Sequence, residues 1–355
     1  MTGGLAETVR FGEVPVGRHH PAVLMVEVGT FFNQDVGLAL EYLDRAILAG
    51  APVFKTEILH DADVCLPGTG LKHEYRHGQG TSVEDYRALI ERKIMPLGDY
   101  ERILIPCRDR GVPFVASVYD SKGIDFLKDI GAAAIKIARN NIDNVPLIRH
   151  AARCGLPLIF DAGGVYLEEV TRAVDLARSG GTREIIINHH PGANPAPASI
   201  HNLRMIEFYA TNFGIPVGLA CHYRGDEILY AAIGAGANLL EKGFDADPDR
   251  PEQDLISAAA FDDLAKIIAK VSACSEAIGH APVSPSEPRD LSTRAGFYAR
   301  NTIERGERFN DANLGFAFPP RGISVSEYDN LFGARAARRI EAGEVIQWSD
   351  VRTTR

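Results

Sequence analysis

Eight short apolar segments, each followed by a segment of helical periodicity, run from residue 22 to about residue 275. Continuous apolar strands that alternate with helices are typical of a parallel sheet buried on both faces. Eight such units in about 250 residues predict an α/β fold of the (β/α)8 TIM-barrel type. The predicted strands are 22–29, 52–58, 113–119, 133–138, 156–162, 184–190, 215–221 and 237–244.

A doubly wound sheet is the alternative arrangement of such units. It would carry a GxGxxG fingerprint after its first strand, and the corresponding segment, VEVGTFFNQD (26–35), contains none. The barrel, over residues 1–278, is therefore favoured. Residues 279–293 concentrate Pro and Ser and predict a linker. Residues 294–355 contain short strand candidates separated by turn residues and predict a small β-rich domain.

Composition limits the class of protein. A formal charge of −9 disfavours a general nucleic-acid partner. No apolar run reaches the roughly 18 residues that a membrane helix requires. Five cysteines without a CxxC pair indicate reduced thiols, and the first residues lack the basic-then-apolar pattern of a secretory signal. These features predict a cytoplasmic protein that acts on small molecules.

Polar residues end almost every predicted strand. Catalytic residues of TIM barrels lie at the carboxyl ends of the strands, and ionisable groups at such positions need partners, so a polar pocket is expected there. Ion pairs that merely close the barrel mouth are the alternative for Lys55 with Glu57 and for Glu241 with Lys242. Adjacent strand residues point to opposite faces, so at most one of His189 and His190 faces the pocket. The candidates are Glu27, Lys55, Glu57, Ser117, Asp120, Lys136, Arg139, Asp161, His189, His190, His222, Glu241 and Lys242.

Longer motifs resemble those of a known enzyme family. The segments VEVGTFFNQDVGLAL, VPFVASVYDSKGIDFLKDIGAAAIKIARNNIDNVPLI, IPVGLACHYRGDEI and GANLLEKGF follow one another in the order of the corresponding motifs of the sialic acid synthase family. Enzymes of that family make nine-carbon keto-sugar acids from phosphoenolpyruvate and a hexosamine-type aldehyde. The tail, beginning RAGFYARNTIERGERFNDANLGF, resembles the antifreeze-like (SAF, β-clip) domain that ends these enzymes. The resemblance covers nearly all of residues 20–355.

The resemblance assigns roles to individual residues. Glu27 matches the acid/base glutamate, and Lys55, Ser117, Asp120 and Lys136 match positions that bind phosphoenolpyruvate. His222 matches one of two histidines that hold Mn²⁺ or Mg²⁺ in the family. The resemblance therefore implies catalytic roles for Glu27, Lys55, Lys136 and His222. Together with the strand-end positions, it gives the predicted substrate-binding residues Ser117, Asp120, Arg139, Asp161, His189, Glu241, Lys242 and Arg294.

Several family positions carry different residues here. The second metal histidine is Gly243, and two serines of the phosphate cradle are Arg139 and Asp161. A carboxylate repels a phosphate dianion, and each like-charge pair at ~4 Å costs about 4 kcal/mol at an effective dielectric constant near 20. An Arg139–Asp161 ion pair across two strands is expected to offset that repulsion. Losing one of two protein ligands weakens a metal site, so Mn²⁺ or Mg²⁺ is expected to bind weakly at His222 or not at all.

Three functional interpretations remain open from the sequence. The first is the family's condensation of phosphoenolpyruvate with an aldehyde-form amino sugar. The second is an aldolase or lyase acting on a sugar or keto acid without phosphoenolpyruvate, with a Schiff base at Lys136 or Lys242. The third is a non-catalytic sugar-binding paralogue. The strand-end carboxylates and lysines favour the first.

Two features outside the strands bear on the site. The Gly-containing segment 61–82 predicts a loop that acts as a lid. The family resemblance implies a homodimer in which each C-terminal domain lies over the partner's barrel and contributes an arginine, for which Arg294 is the candidate.

Overall fold

The computed structural model describes residues 4–279 and 293–352. Contacts divide the chain into two compact units, Met1–Gly279 and His280–Arg355. In the first unit, eight parallel strands form a closed barrel, because β12 pairs with β11 on one side and with β3 on the other. The barrel strands are β3 (Val23–Glu27), β4 (Val53–Glu57), β7 (Phe114–Ser117), β8 (Ala134–Ile137), β9 (Leu158–Ala162), β10 (Ile185–His189), β11 (Val217–Ala220) and β12 (Leu239–Asp245).

The predicted (β/α)8 barrel is confirmed, and each predicted strand is present with its ends shifted by at most two residues. The helix α1 illustrates how a barrel helix forms. Asp35 caps its first turn by accepting a hydrogen bond from the Leu38 N–H at 2.9 Å. Ala39, Leu43 and Ala46 then form the buried stripe that packs on the strands. The helices are α1 (Val36–Leu48), α2 (Tyr86–Glu91), α3 (Leu97–Asp109), α4 (Ser121–Asp129), α5 (Val145–Ala151), α6 (Leu167–Gly180), α7 (Arg204–Phe213), α8 (Glu227–Gly234), α9 (Leu264–Ile278) and α10 (Tyr328–Leu331).

A hairpin of β1 (Thr8–Phe11) and β2 (Val14–Gly17) precedes the barrel and does not follow from the sequence reasoning above. Its residues Val9, Phe11 and Val16 are fully or almost fully buried. They join one apolar cluster with inward-facing strand residues such as Met25 and Ile159. The hairpin therefore closes the amino-terminal end of the barrel, so the polar site lies at the other end.

A second hairpin, β5 (Lys72–His77) and β6 (Gly80–Asp85), follows β4. The segment predicted as a lid loop is thus partly a regular antiparallel ribbon. Its Arg76–Thr81 and His77–Gly80 pairs enclose a two-residue turn at Gly78 and Gln79. The hairpin is tied to the β12 side of the barrel, since a hydrogen bond joins the His73 ring to the side chain of Gln253 at 3.4 Å.

The second unit contains β14 (Gly296–Ala299), β15 (Leu314–Ala317), β16 (Arg335–Ala336) and β17 (Val351–Arg352), which pair as two small antiparallel sheets. Its own core includes Phe297, Phe309 and Ile340. The fold therefore includes the predicted small β-rich C-terminal domain. Of the predicted linker, 279–293, only the two end residues are among the described residues. Among the described helices, none is long and apolar enough to span a membrane.

Candidate active site

The alternation of side chains along the strands separates an apolar layer from a polar one inside the barrel. Inward-facing residues at the amino ends, such as Val23, Val115 and Ile186, form the apolar cluster on the first hairpin. Further along each strand, at its carboxyl end, the side chains that face the barrel interior are polar. Above them lies a cavity of about 710 Å³, which opens at the carboxyl end of the barrel. The inward-facing polar residues are Glu27, Lys55, Glu57, Ser117, Lys136, Asp161, Asn188 and Glu241.

Glu241 is the centre of a buried ion-pair network. Its carboxylate accepts hydrogen bonds from Lys136 Nζ at 2.5 and 2.7 Å and from Asn188 Nδ2 at 2.7 Å. Lys55 Nζ lies 3.3 Å from the same carboxylate and also forms an ion pair with Glu27. Lys55, Lys136 and Glu241 are each at most 3% exposed. Charges buried this deeply persist only with partners of opposite charge, and here each has them.

The pKa values of Glu27 and Glu241, two carboxyl groups of this network, are shifted in opposite directions. Burial, reinforced by the Glu241 carboxylate and opposed by the Lys55 ammonium, raises the pKa of Glu27 well above its usual value. Burial opposes ionisation of Glu241 too, but the ammonium groups of Lys136 and Lys55 outweigh it and hold its pKa well below the usual range. The Glu27 carboxyl is therefore placed to carry a proton next to an ionised carboxylate, as general acid–base catalysis requires.

Both inward-facing lysines remain protonated at neutral pH. Burial by itself lowers the pKa of Lys136, but the carboxylates of Asp161 and Glu241 outweigh it, so the pKa is raised. The pKa of Lys55 is raised in the same way by Glu27 and Glu241. A Schiff base requires a neutral amine. The predicted Schiff-base role of Lys136 therefore receives no support from its surroundings.

Asp161 has partners other than the one predicted. Its carboxylate lies 2.8 Å from Lys136 Nζ and 3.2 Å from Asn188 Nδ2. Burial, opposed by the Lys136 ammonium and reinforced by Glu241, raises the pKa of Asp161 to about 6. Arg139 is exposed at the cavity wall and donates a hydrogen bond to the Gly192 carbonyl at 3.2 Å. The predicted Arg139–Asp161 pair is wrong, because the inward-facing Lys136 is the nearer cation.

One side chain in the cavity wall has an unused hydrogen-bonding group. Ser117 is 1% exposed, and within residues 4–279 and 293–352 its Oγ has no hydrogen-bond partner. Beside it on the wall, the Tyr119 hydroxyl donates to Glu57 at 2.8 Å. Buried hydroxyl groups are usually paired, so the Ser117 hydroxyl is available to a ligand, as its predicted substrate-binding role requires.

Three predicted substrate-binding residues of the first unit do not line the cavity: His189, Lys242 and Asp120. His189 lies on the outer face of β10, where its Nε2 donates to the His201 carbonyl at 2.6 Å. Lys242, on the outer face of β12, donates to the carbonyls of Tyr223 and Gly225. Lys242 therefore does not face the cavity, where a Schiff base with a substrate would have to form.

Asp120 caps α4 by accepting from the Gly123 N–H at 2.7 Å, and its carboxylate lies 2.8 Å from His60 Nε2. Its carboxylate is therefore used in fixing the loop after β7. Arg294 belongs to the second unit, where it is exposed directly before β14.

The side chains near His222 do not form a site for a divalent cation. Among the described residues, no group of three or more His, Cys, Asp or Glu side chains is arranged to hold a metal ion. A side chain at Gly243 would begin 3.4 Å from the Phe31 ring, which therefore fills the neighbouring space. Asp245, a possible substitute ligand, accepts hydrogen bonds from Tyr42 at 2.6 Å and Arg250 at 3.0 Å.

The sequence reasoning missed Asn188, and of the two adjacent histidines it assigned substrate binding to the wrong one. Asn188 donates to both Asp161 and Glu241, and it is fully buried. His190, rather than His189, lines the cavity, where its ring packs against His222 with 4.4 Å between ring centroids. Side chains alternate along a strand, and Ile186 faces the barrel interior, so Asn188 and His190, two and four residues later, face it too.

Comparisons with known proteins agree with this architecture. The model of the NeuB family matches residues 42–282, and the model of the SAF domain matches residues 294–352. An N,N'-diacetyllegionaminic acid synthase from Legionella pneumophila is 27% identical over 96% of this chain and 97% of its own length. An N-acetylneuraminate-9-phosphate synthase from Drosophila melanogaster is 23% identical over 91% of this chain and 94% of its own. A crystal structure of N-acetylneuraminic acid synthetase from Leptospira borgpetersenii superimposes with a TM-score of 0.70 at 22% identity, covering 81% of this chain and 94% of that one.

Proposed function

This chain belongs to the NeuB family, whose members include synthases of nonulosonic acids, and we propose that it condenses phosphoenolpyruvate with the aldehyde form of an amino sugar. The product is a 2-keto-3-deoxy acid of the nonulosonic type, and phosphate is released. The observation that carries this proposal is the buried network of Glu27, Lys55, Lys136 and Glu241 beneath a cavity of about 710 Å³.

The reaction balances without a redox partner. C3 of phosphoenolpyruvate forms a bond with the aldehyde carbon, and the electron pair of the carbonyl moves to its oxygen, which takes a proton. Water adds at C2, and cleavage of the C2–O bond then releases phosphate and leaves the keto group. Lys55 and Lys136 supply positive charge at the cavity floor for the carboxylate and phosphate of phosphoenolpyruvate.

Proton transfer is the role we propose for Glu27 and Glu241. Burial raises the pKa of Glu27, so its carboxyl holds a proton more readily than that of Glu241, whose pKa the lysines lower. The pair can release that proton to the aldehyde oxygen and recover one from the attacking water. Ser117, whose hydroxyl is unpaired within residues 4–279 and 293–352, would donate a hydrogen bond to a substrate oxygen.

Phosphoenolpyruvate should bind more weakly as the pH rises. Asp161 shares Lys136 with Glu241 and contacts Asn188, and its pKa is about 6. Below that pH the neutral carboxyl tolerates an anion, whereas above it the carboxylate repels the anion. We expect the dissociation constant to rise by up to about tenfold per pH unit above pH 6.

Calorimetric titrations of phosphoenolpyruvate between pH 5 and pH 8 measure this dependence. The Asp161→Asn variant is the control, because it keeps the shape of the side chain but removes its titration. The protonation of phosphoenolpyruvate itself affects binding equally in both proteins. We expect a shallower dependence in the variant than in the wild type. Equal slopes in the two proteins would show that Asp161 does not face the bound anion.

A second candidate function dispenses with phosphoenolpyruvate. It is favoured by the pairing of both buried lysines with carboxylates, including Asp161 at a position where the family carries serine. In that case the barrel would act on a sugar or keto acid that carries no phosphate. Absence of phosphoenolpyruvate binding at pH 5, where Asp161 is neutral, would favour this candidate.

The C-terminal unit enters the proposal through assembly. We propose a homodimer in which Arg294 contributes to the partner's site. A chain ending near residue 285 is then expected to sediment as a monomer and to lose activity. A truncated chain that remains dimeric and fully active would contradict this arrangement.

A further inference from the structure

His190 and His222 lie side by side at the ends of adjacent strands, and both line the cavity. Their rings meet edge to face, with 4.4 Å between centroids and 71° between planes. His190 is buried and His222 is half-buried. The hydrogen bonds that each ring makes decide which of its nitrogens carries a proton.

The backbone decides which nitrogen of His190 carries the proton. The Gly192 N–H donates a hydrogen bond to His190 Nδ1 at 2.8 Å. A nitrogen that accepts a hydrogen bond has no proton of its own, so the N–H of the neutral ring is at Nε2. Among the described residues, the one hydrogen bond of the His190 ring is this bond to Nδ1, and none involves Nε2. His190 therefore offers a free donor at the cavity wall.

Gly163 holds this ring in place. A Cβ atom at position 163 would fall 2.5 Å from His190 Nδ1 and 2.6 Å from Cβ and Cγ of the same residue. The histidine can occupy its position only because residue 163 has no side chain. The ring also packs against His222 and accepts from the Gly192 N–H, so its orientation is fixed before a ligand arrives.

His222 has the opposite tautomer. Its Nδ1 lies 3.2 Å from the Ala193 carbonyl, which can only accept, so Nδ1 carries the proton, and Nε2, which has no hydrogen-bond partner among the described residues, can accept. The two rings thus present a donor and an acceptor to one cavity. A metal ion held by both rings would require a lone pair from each, and in His190 the Nδ1 lone pair is used by the Gly192 N–H.

We propose that His190 is a catalytic residue whose Nε2–H donates a hydrogen bond to the oxygen of the acceptor aldehyde. This inference rests on the proposed condensation. As the carbon–carbon bond forms, negative charge develops on that oxygen, and a fixed donor in a buried cavity stabilises it. The hydrogen bond supplies the polarisation that a divalent cation would otherwise provide, and His222 Nε2 can accept from a substrate hydroxyl group.

The tautomers can be tested without an active enzyme. Long-range ¹H–¹⁵N correlation spectra of protein labelled in its 11 histidines report which ring nitrogen is protonated, and His190→Gln and His222→Gln spectra assign the signals. We expect Nε2–H for His190, Nδ1–H for His222, and no selective broadening of either by Mn²⁺. An Nδ1–H tautomer at His190, or Mn²⁺ binding that either substitution removes, would overturn the proposal.

Kinetics test the catalytic role. His190→Leu is expected to lower kcat by about 100- to 1000-fold, the usual cost of losing one such donor, with little change in KM for phosphoenolpyruvate. His190→Gln, which keeps an N–H donor, should recover part of the loss. His189→Gln is the matched control, since that side chain donates to the His201 carbonyl outside the cavity.

The outcomes distinguish the role of His190 from the proposed condensation reaction. An active wild type with an unimpaired His190→Leu variant overturns the role of His190 alone. Activity that a chelator abolishes and Mn²⁺ restores also overturns that role. A wild type that never consumes phosphoenolpyruvate overturns the proposed function, and with it this role.

Discussion

Replacing Glu241 with Gln is expected to lower the free energy of unfolding of the barrel by about 3–5 kcal/mol. The carboxylate accepts both hydrogen bonds of Lys136 and one from Asn188, and it lies 3.3 Å from Lys55. The amide carries no charge, so it leaves two buried ammonium groups with too little negative charge around them. The penalty is the cost of burying a charge without its partner.

Urea unfolding followed by far-ultraviolet circular dichroism measures this loss. The signal reports the barrel, because α1–α9 lie in the first unit and, of the described helices, only α10 lies in the second. Glu57→Gln is the matched control, since Glu57 is half-buried and 3.8 Å from Lys55. Its cost should stay below about 1 kcal/mol. Equal losses in the two variants would contradict the central position of Glu241.

Glu27→Gln is expected to lower kcat by about 100- to 10,000-fold, the range for loss of a general acid–base group. Stability should change less than in Glu241→Gln. Burial raises the pKa of Glu27 well above its usual value, so a neutral group costs less there than at Glu241, whose pKa is held low. An amide keeps the shape of the carboxyl and can accept from Lys55 and donate to Glu241. The variant therefore separates proton transfer from the integrity of the network.

Steady-state kinetics with matched unfolding curves check this prediction. The control is Glu41→Gln, which removes an exposed carboxylate on α1. A Glu27→Gln variant with unchanged turnover would contradict an acid–base role. If no turnover is detected in the wild type either, the non-catalytic interpretation gains support. A loss of kcat accompanied by unfolding would instead indicate that Glu27 is ionised and structurally required.

The barrel could be predicted because its strands are buried on both faces. Each strand then appears as a continuous apolar run, and eight such runs alternating with helices leave few alternatives. The first hairpin could not be predicted in this way, because it lacks such a run. Its strands are only four residues long, and Gly12 and Glu13 between Phe11 and Val14 give no apolar run. Burial of that hairpin depends on the barrel end that it closes.

The site could be predicted in part from alternation along the strands. Residues in step with the apolar inner layer, such as Lys136 and Glu241, line the cavity, whereas His189 and Lys242 are one residue out of step and face outward. The choice of ion-pair partners was not accessible in this way. Asp161 pairs with Lys136 rather than Arg139 because of distances across the barrel, which sequence spacing does not contain.

The most direct test of the proposed function follows phosphate release from phosphoenolpyruvate by ³¹P nuclear magnetic resonance at pH 6, with amino-sugar aldehydes as acceptors and the Glu27→Gln variant as a blank. The account predicts that phosphate appears only when an acceptor is present, together with a keto acid three carbons longer than that acceptor. Phosphoenolpyruvate that remains intact with every acceptor, and shows no calorimetric binding at the same pH, would contradict it.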